Sequence, residues 1–105
     1  MKQIFIDKFT IPKDAVAEFT ERMNYNRNFI KNLHGFIKDT VYERTDENGN
    51  KIIITLAEWK DDFALARAKE KVQVEYKKIG FDPGEFTNKL GIIMERGIYN
   101  EIHGN

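Results

Sequence analysis

The residues FIKDTVYERT (Phe36–Thr45), DENGN (Asp46–Asn50) and KIIITLAEW (Lys51–Trp59) follow one another without interruption. Two runs rich in β-branched and aromatic residues flank a short polar segment containing Asn48-Gly49. That pair supplies the positive φ that tight hairpins need, so the stretch predicts two antiparallel strands joined by a turn. What lies on either side decides how the hairpin is used.

Upstream, QIFIDKFTI (Gln3–Ile11) reads as a strand ended by Pro12. From Lys13 to about Leu33, the apolar residues Val16, Phe19, Met23, Ile30 and Leu33 form one helical stripe. His34-Gly35 stops that helix, with Gly35 suited to a left-handed cap. Downstream, Asp61 or Asp62 can cap a second helix running to about Ile79, with Leu65, Ala68, Val72, Tyr76 and Ile79 on one face. Gly80 ends it, and Asp82-Pro83-Gly84 opens a further short helix. Ile92 to Ile102 is the last strand. The order is β-α-β-β-α-β, an α+β ferredoxin-like domain over residues 1–105 with a four-stranded antiparallel sheet.

In this arrangement both helices cover one face of the sheet and leave the other open. Ile52, Ile54 and Leu56 alternate with Ile53, Thr55, Ala57 and Trp59, while Ile4 and Ile6 alternate with Phe5, Asp7 and Phe9. Neither set is a solvated surface. With Phe5, Phe9, Ile53, Ala57 and Tyr42 on the open face, the apolar patch exceeds what monomers expose. The expected remedy is a homodimer, sheet against sheet about a two-fold axis, closing toward a barrel. Asp7 among these residues needs a charge partner, expected as a Lys or Arg across the dimer.

Composition excludes several function classes. The chain has 17 basic and 17 acidic residues, so no basic excess exists to neutralise nucleic-acid phosphates or an anionic membrane. It has no cysteine and no serine, which removes disulfides, thiolate metal sites and serine or cysteine nucleophiles. Its two histidines, His34 and His103, are far apart in sequence, and no spacing matches a metal site. The N-terminal MKQIFIDKF carries charges inside its apolar run, so neither a signal peptide nor a membrane span is expected, and the expected location is cytoplasmic.

Several landmarks carry a family resemblance: QIFIDKFTIP in the first strand, HGF (34–36), Tyr42 in TVYE, EWKDDFALARAKE after the third strand, and the closing IIMERGIY. Together they resemble the antibiotic biosynthesis monooxygenase family of the dimeric α/β-barrel superfamily, across nearly the whole chain. One departure is His34, where family members often have proline. The resemblance implies a homodimer with a pocket between helices and sheet. It also implies a cofactor-independent monooxygenase, without metal, acting on a small aromatic substrate of quinol or anthrone type. The alternatives are a non-catalytic dimer that binds a small aromatic or apolar ligand, or an isomerase or stress-related protein of the same fold. Heme-degrading relatives carry an Asn on the first strand and a Trp and an iron-binding His on or near the second helix. Here the first strand offers Asp7 and Lys8, and the second helix has neither Trp nor His.

A cofactor-free oxygenase needs an apolar pocket, a proton acceptor, and donors for a developing oxyanion. Candidate ligand-binding residues are Asn26, Trp59, Tyr76, His34 and Arg67, with Arg22 a further donor and Asp7 and His34 candidate acceptors. Most have ordinary structural readings: Trp59 as a packing anchor, Tyr76 as core, His34 as a helix cap, the arginines as surface ion-pair partners. Asn26 stands apart. Of the three asparagines in NYNRN (24–28), Asn24 and Asn28 fall beside the helical stripe, where solvent suffices for at least one. Asn26 occupies the beat between Met23 and Ile30 where an apolar residue is expected, so its amide needs a partner.

Overall fold

The computed structural model describes residues 1–102, so His103 lies outside the described residues. The strands are β1 (Gln3–Ile11), β2 (Phe36–Thr45), β3 (Lys51–Trp59) and β4 (Ile93–Tyr99). They form one antiparallel sheet in the order β2-β3-β1-β4. The helices are α1 (Val16–Ile30), α2 (Asp62–Ile79) and α3 (Pro83–Leu90). This is the ferredoxin-like arrangement, and no helix among the described residues is long and apolar enough to cross a membrane.

Local chemistry accounts for the boundaries. In the hairpin loop, the Asp46 carboxylate accepts from the backbone N–H of Asn48 and of Asn50, each at 2.9 Å, and Gly49 takes φ +83°. Asp61 caps α2 by accepting from Ala64 N–H at 2.8 Å, and Gly80 closes the helix at φ +67°. Asp82 caps α3 in the same way, with Pro83 in its first turn.

Three ends differ from expectation. A 3-10 turn over Lys13–Ala15 precedes α1, which stops at Ile30 rather than near Leu33. Gly35 is therefore not the helix cap. It sits in the turn before β2 at φ +85°, where a Cβ would fall 2.4 Å from the Ala64 Cβ. Its role is to let the start of α2 pass close to that turn. The last strand is shorter than expected, ending at Tyr99 instead of Ile102.

The two sheet faces are also exchanged relative to expectation. Phe9 and Ile53 pack with Phe19, Val16 and Met23 of α1, and Phe5, Ala57 and Trp59 pack with Leu65 and Ala68 of α2. These residues face the helices. The register places Ile4, Ile6, Ile54, Tyr42, Ile93 and Tyr99 together on the opposite face. Of the residues expected on the open face, only Tyr42 is there. The open face carries exposed apolar residues, Tyr42 at 58%, Ile93 at 66% and Tyr99 at 55%, beside the Lys8–Glu95 and Lys38–Glu58 ion pairs.

Candidate functional site

The core is divided. One cluster gathers Ile11, Phe19, Ile53 and Ile92 at one end of the sheet, and another gathers Ala57, Trp59, Leu65 and Ala68 at the other. Between them on the helix-facing side, β3, β1 and β4 contribute polar residues. Asp7 lies between Phe5 and Phe9 on β1, opposite Thr55 of β3 and Arg96 of β4. Apolar side chains cannot close over such a floor, and a cavity of about 510 Å³ opens there. That volume suits a small aromatic molecule.

Asp7 is 7% exposed and receives two bonds from Arg96, Nε to Oδ1 at 2.7 Å and Nη2 to Oδ2 at 3.0 Å. The partner of Asp7 is thus in its own chain, on the adjacent strand, and not across a dimer as expected. The fork geometry of guanidinium and carboxylate fits two residues directly opposite in register. The bond from Asp7 holds the Arg96 guanidinium above its usual pKa, against the opposing effect of burial.

The cavity roof comes from the helices. Asn26 Nδ2 of α1 donates to the Tyr76 hydroxyl of α2 at 2.5 Å, which gives the anomalous asparagine its partner. Asn24 and Asn28 are exposed. Tyr76 packs edge-on to Phe81 at 5.1 Å, and the Arg22 guanidinium lies over Phe81 at 4.1 Å. Asn26, Tyr76, Phe81 and Arg22 therefore form a ring that closes one turn of α1 back on itself. Burial raises the Tyr76 pKa above its ordinary 10.0, partly offset by the Asn26 bond and by Arg96 and Arg22. Tyr76 is neutral at physiological pH. It accepts from Asn26, and its own proton has no acceptor among the described residues.

Trp59, from the end of β3, is 2% exposed and packs edge-on to Phe36 at 5.4 Å. Its indole N–H is the one buried side-chain polar atom without a partner among the described residues. Trp59 also lines the cavity. A buried donor left unpaired costs free energy. The packing expected of Trp59 is present, and its indole N–H is an unpaired donor buried beside the cavity.

The expected site residues therefore divide. Asn26, Trp59 and Tyr76 line one cavity. His34 is exposed in the turn before β2 and is not among the lining residues. Arg67 is exposed on the outer side of α2, 5.8 Å over the Phe63 ring, and lies outside the cavity. Arg96 and Lys69, both in the lining, did not stand out in the sequence. The usable signal for Arg96 was Asp7: a carboxylate in an apolar run calls for a cation on a neighbouring strand.

The site has donors in excess of acceptors. Asp7 and Asp39, the two lining carboxylates, are each taken by an arginine, Asp7 by Arg96 and Asp39 by Arg27 at 2.6 Å. The Tyr76 O–H remains, and the unpaired Trp59 N–H is buried beside it. Such a site complements a flat molecule bearing carbonyl or oxyanion oxygens. Among the described residues no three His, Cys, Asp or Glu side chains cluster at metal-ligand distance.

The chain matches no protein-family model and no curated relative by sequence. Solved structures do resemble it. The fold is that of the antibiotic biosynthesis monooxygenases. A protein from Shewanella loihica PV-4, provisionally named a monooxygenase, superimposes with TM-score 0.74 at 18% identity, covering 98% of this chain and 96% of its own. SnoaB from Streptomyces nogalater, a cofactor-independent oxygenase, superimposes with TM-score 0.67 at 22% identity, over 98% of this chain and 95% of SnoaB. A protein from Deinococcus radiodurans, provisionally named an antibiotic biosynthesis monooxygenase, gives 0.65 at 10% identity, covering 98% and 95%. At these identities the likeness concerns the fold.

Proposed function

We propose that this protein is a cofactor-independent monooxygenase of small electron-rich aromatic substrates, of quinol or anthrone type, working as a homodimer. The observation that carries the reading is a cavity whose carboxylates are already paired and whose wall holds the Tyr76 hydroxyl, with the unpaired Trp59 N–H buried beside it. The name of SnoaB, a cofactor-independent oxygenase, supports it through the shared fold.

The chemistry follows from what the site offers. The substrate hydroxyl loses a proton, and its anion passes one electron to dioxygen, leaving a substrate radical and superoxide. These recombine to a carbon–oxygen bond as a peroxide. Cleavage of the O–O bond, with loss of the remaining C–H proton, gives a carbonyl and water. For an anthrone methylene the sum is R2CH2 + O2 → R2CO + H2O. The protein's part is to stabilise the anion that reacts. Trp59, Tyr76 and the nearby Arg22 and Arg96 lower the substrate's own pKa by donating to its oxyanion or by their charge.

The proton acceptor is not a strong side-chain base. Asp7 is engaged by both arms of Arg96, Tyr76 is protonated, and His34 lies outside the cavity. The proton goes to water at the cavity mouth. The rate should then rise with pH through the bound substrate's ionisation, with no protein group setting the acid limb.

The dimer reading rests on the open sheet face. Ile4, Ile6, Ile54, Tyr42, Ile93 and Tyr99 share one side of the four strands with the Lys8–Glu95 and Lys38–Glu58 ion pairs, and a second copy covers the apolar residues with the same residues of its own.

The test is oxygen uptake by chelator-treated protein with a panel of reduced quinones and anthrones. Uptake that saturates with substrate and falls in Tyr76→Phe supports the reading. No uptake above the uncatalysed rate with any member would leave only a binding module of the same fold.

A further inference from the structure

We propose that the ligand of this cavity carries an acidic substituent, a carboxylate or phosphate, that pairs with Arg22. The inference rests on reading the cavity as a site for an aromatic molecule, and not on turnover. The chain as a whole is neutral, with 17 basic and 17 acidic residues. The cavity lining is not neutral: Arg22, Arg27, Lys69 and Arg96 face only Asp7 and Asp39. Both carboxylates are spent, on Arg96 and Arg27. Arg22 and Lys69 are left without an ion-pair partner among the described residues.

The two surplus cations are held in a particular way. The Arg22 guanidinium lies 4.1 Å over the Phe81 ring and 5.4 Å from the Tyr25 ring, and Lys69 sits 5.2 Å over Phe5. An aromatic face steadies a cation through its π-cloud and uses none of its N–H donors. For a stacked guanidinium the in-plane donors stay free, and those donors form the fork that grips a carboxylate or phosphate. Arg22 is also half-buried, so its solvation is incomplete. It lies one helical turn from Asn26, which holds the Tyr76 hydroxyl. A ligand whose ring oxygen reaches Tyr76 can place an acidic group on Arg22. Lys69 is exposed and strengthens the field of the cavity without fixing the group's position.

The experiment is calorimetric titration of the wild-type protein, without oxygen, against three matched probes: 1-naphthol, 1-naphthoate and 1-naphthyl phosphate. The expected result is an anion that binds about tenfold or more tighter than 1-naphthol, as a charged hydrogen-bonded pair should give. Which anion wins identifies the source, carboxylate or phosphate. Arg22→Gln should bring the anions within about twofold of the alcohol, and Arg22→Lys should keep part of the preference. Lys69→Gln should reduce it partially, and Arg67→Gln, outside the cavity, should leave it unchanged. Circular dichroism checks that each variant is folded. Equal affinity for 1-naphthol and both anions, or a preference that survives Arg22→Gln, would overturn the proposal. So would failure of both anions to bind at millimolar concentration. Because binding is read without oxygen, an anion preference with no oxygen uptake would retain this inference while removing the oxygenase reading.

Discussion

Asn26 and Tyr76 join α1 to α2 through a hydrogen bond of 2.5 Å at the wall of the cavity. Beside it, the Tyr25 hydroxyl donates to the Glu75 carboxylate, so adjacent residues on each helix form two cross-links. Only the inner one touches the cavity. Asn26→Ala should cost about 1–2 kcal/mol, because it leaves the largely buried Tyr76 hydroxyl without its donor. A double-mutant cycle with Tyr76→Phe, read by thermal unfolding, should give a coupling of about 1 kcal/mol. Additive losses would mean that the bond does not form in solution.

The Asp7–Arg96 pair supports the cavity floor. Asp7 is buried, but the Arg96 side chain is 50% exposed, so only part of the cost of breaking a buried pair applies. Asp7→Asn should destabilise by about 2 kcal/mol after that allowance. Removing both members, Asp7→Asn with Arg96→Gln, should cost less than the sum of the single changes. Denaturant unfolding of the four proteins checks this.

Tyr76 gives a pH dependence whose sign follows from its raised pKa. A phenol held neutral by burial contributes stability that is fully present below the unfolded value of 10.0 and is lost as pH rises through the folded value. Tyr76→Phe should therefore flatten stability against pH above 10.0 and delete a late component of the tyrosinate absorbance titration. Tyr25, whose bond to Glu75 raises its pKa too, accounts for a second late component, removed in Tyr25→Phe. Between pH 6 and 9 ligand binding should have no tyrosine limb.

Gly35 and Gly49 both have positive φ, +85° and +83°, but only Gly35 faces a close neighbour. Gly49→Ala should cost about 1 kcal/mol for the left-handed backbone alone. Gly35→Ala adds a clash with Ala64 and should cost about 3 kcal/mol or more. Their melting temperatures should differ by roughly 8 °C or more for a domain of this size.

Ile93 tests the homodimer. On β4 it is 66% exposed in the single chain, so Ile93→Lys should leave the fold intact. In a dimer that pairs the open faces, the lysine is buried and the assembly should dissociate. Sedimentation velocity should find a dimer for the parent and a monomer for the variant.

These residues also define what the sequence could convey. The bounds of β1, β2 and β3 were legible because Pro12, the Asn48-Gly49 turn and the Asp61 cap punctuate them. The face of the sheet was not, because β1 and β3 are apolar on both sides and alternation alone cannot tell inside from outside. Asp7 was legible as a residue needing a partner. Its partner Arg96 was not, since strand order β1-β4 had to be known before their register could be. Asn26 betrayed itself by breaking an apolar stripe, and Tyr76 and Trp59 by their placement at core positions of polar-tipped aromatics. His34 and Arg67 had suitable chemistry but stand outside the cavity, a matter of helix rotation and turn length that composition does not encode.

Trp59 reports most directly on whether the cavity donates to an aromatic oxyanion. It is the single tryptophan in the chain, so its indole N–H gives one resolved resonance in a proton–nitrogen correlation spectrum. Titration with 1,4-dihydroxynaphthalene without oxygen should move that resonance downfield and saturate with the binding isotherm, and Trp59→Phe should weaken binding. A ligand that binds while the indole resonance stays in place would contradict the account.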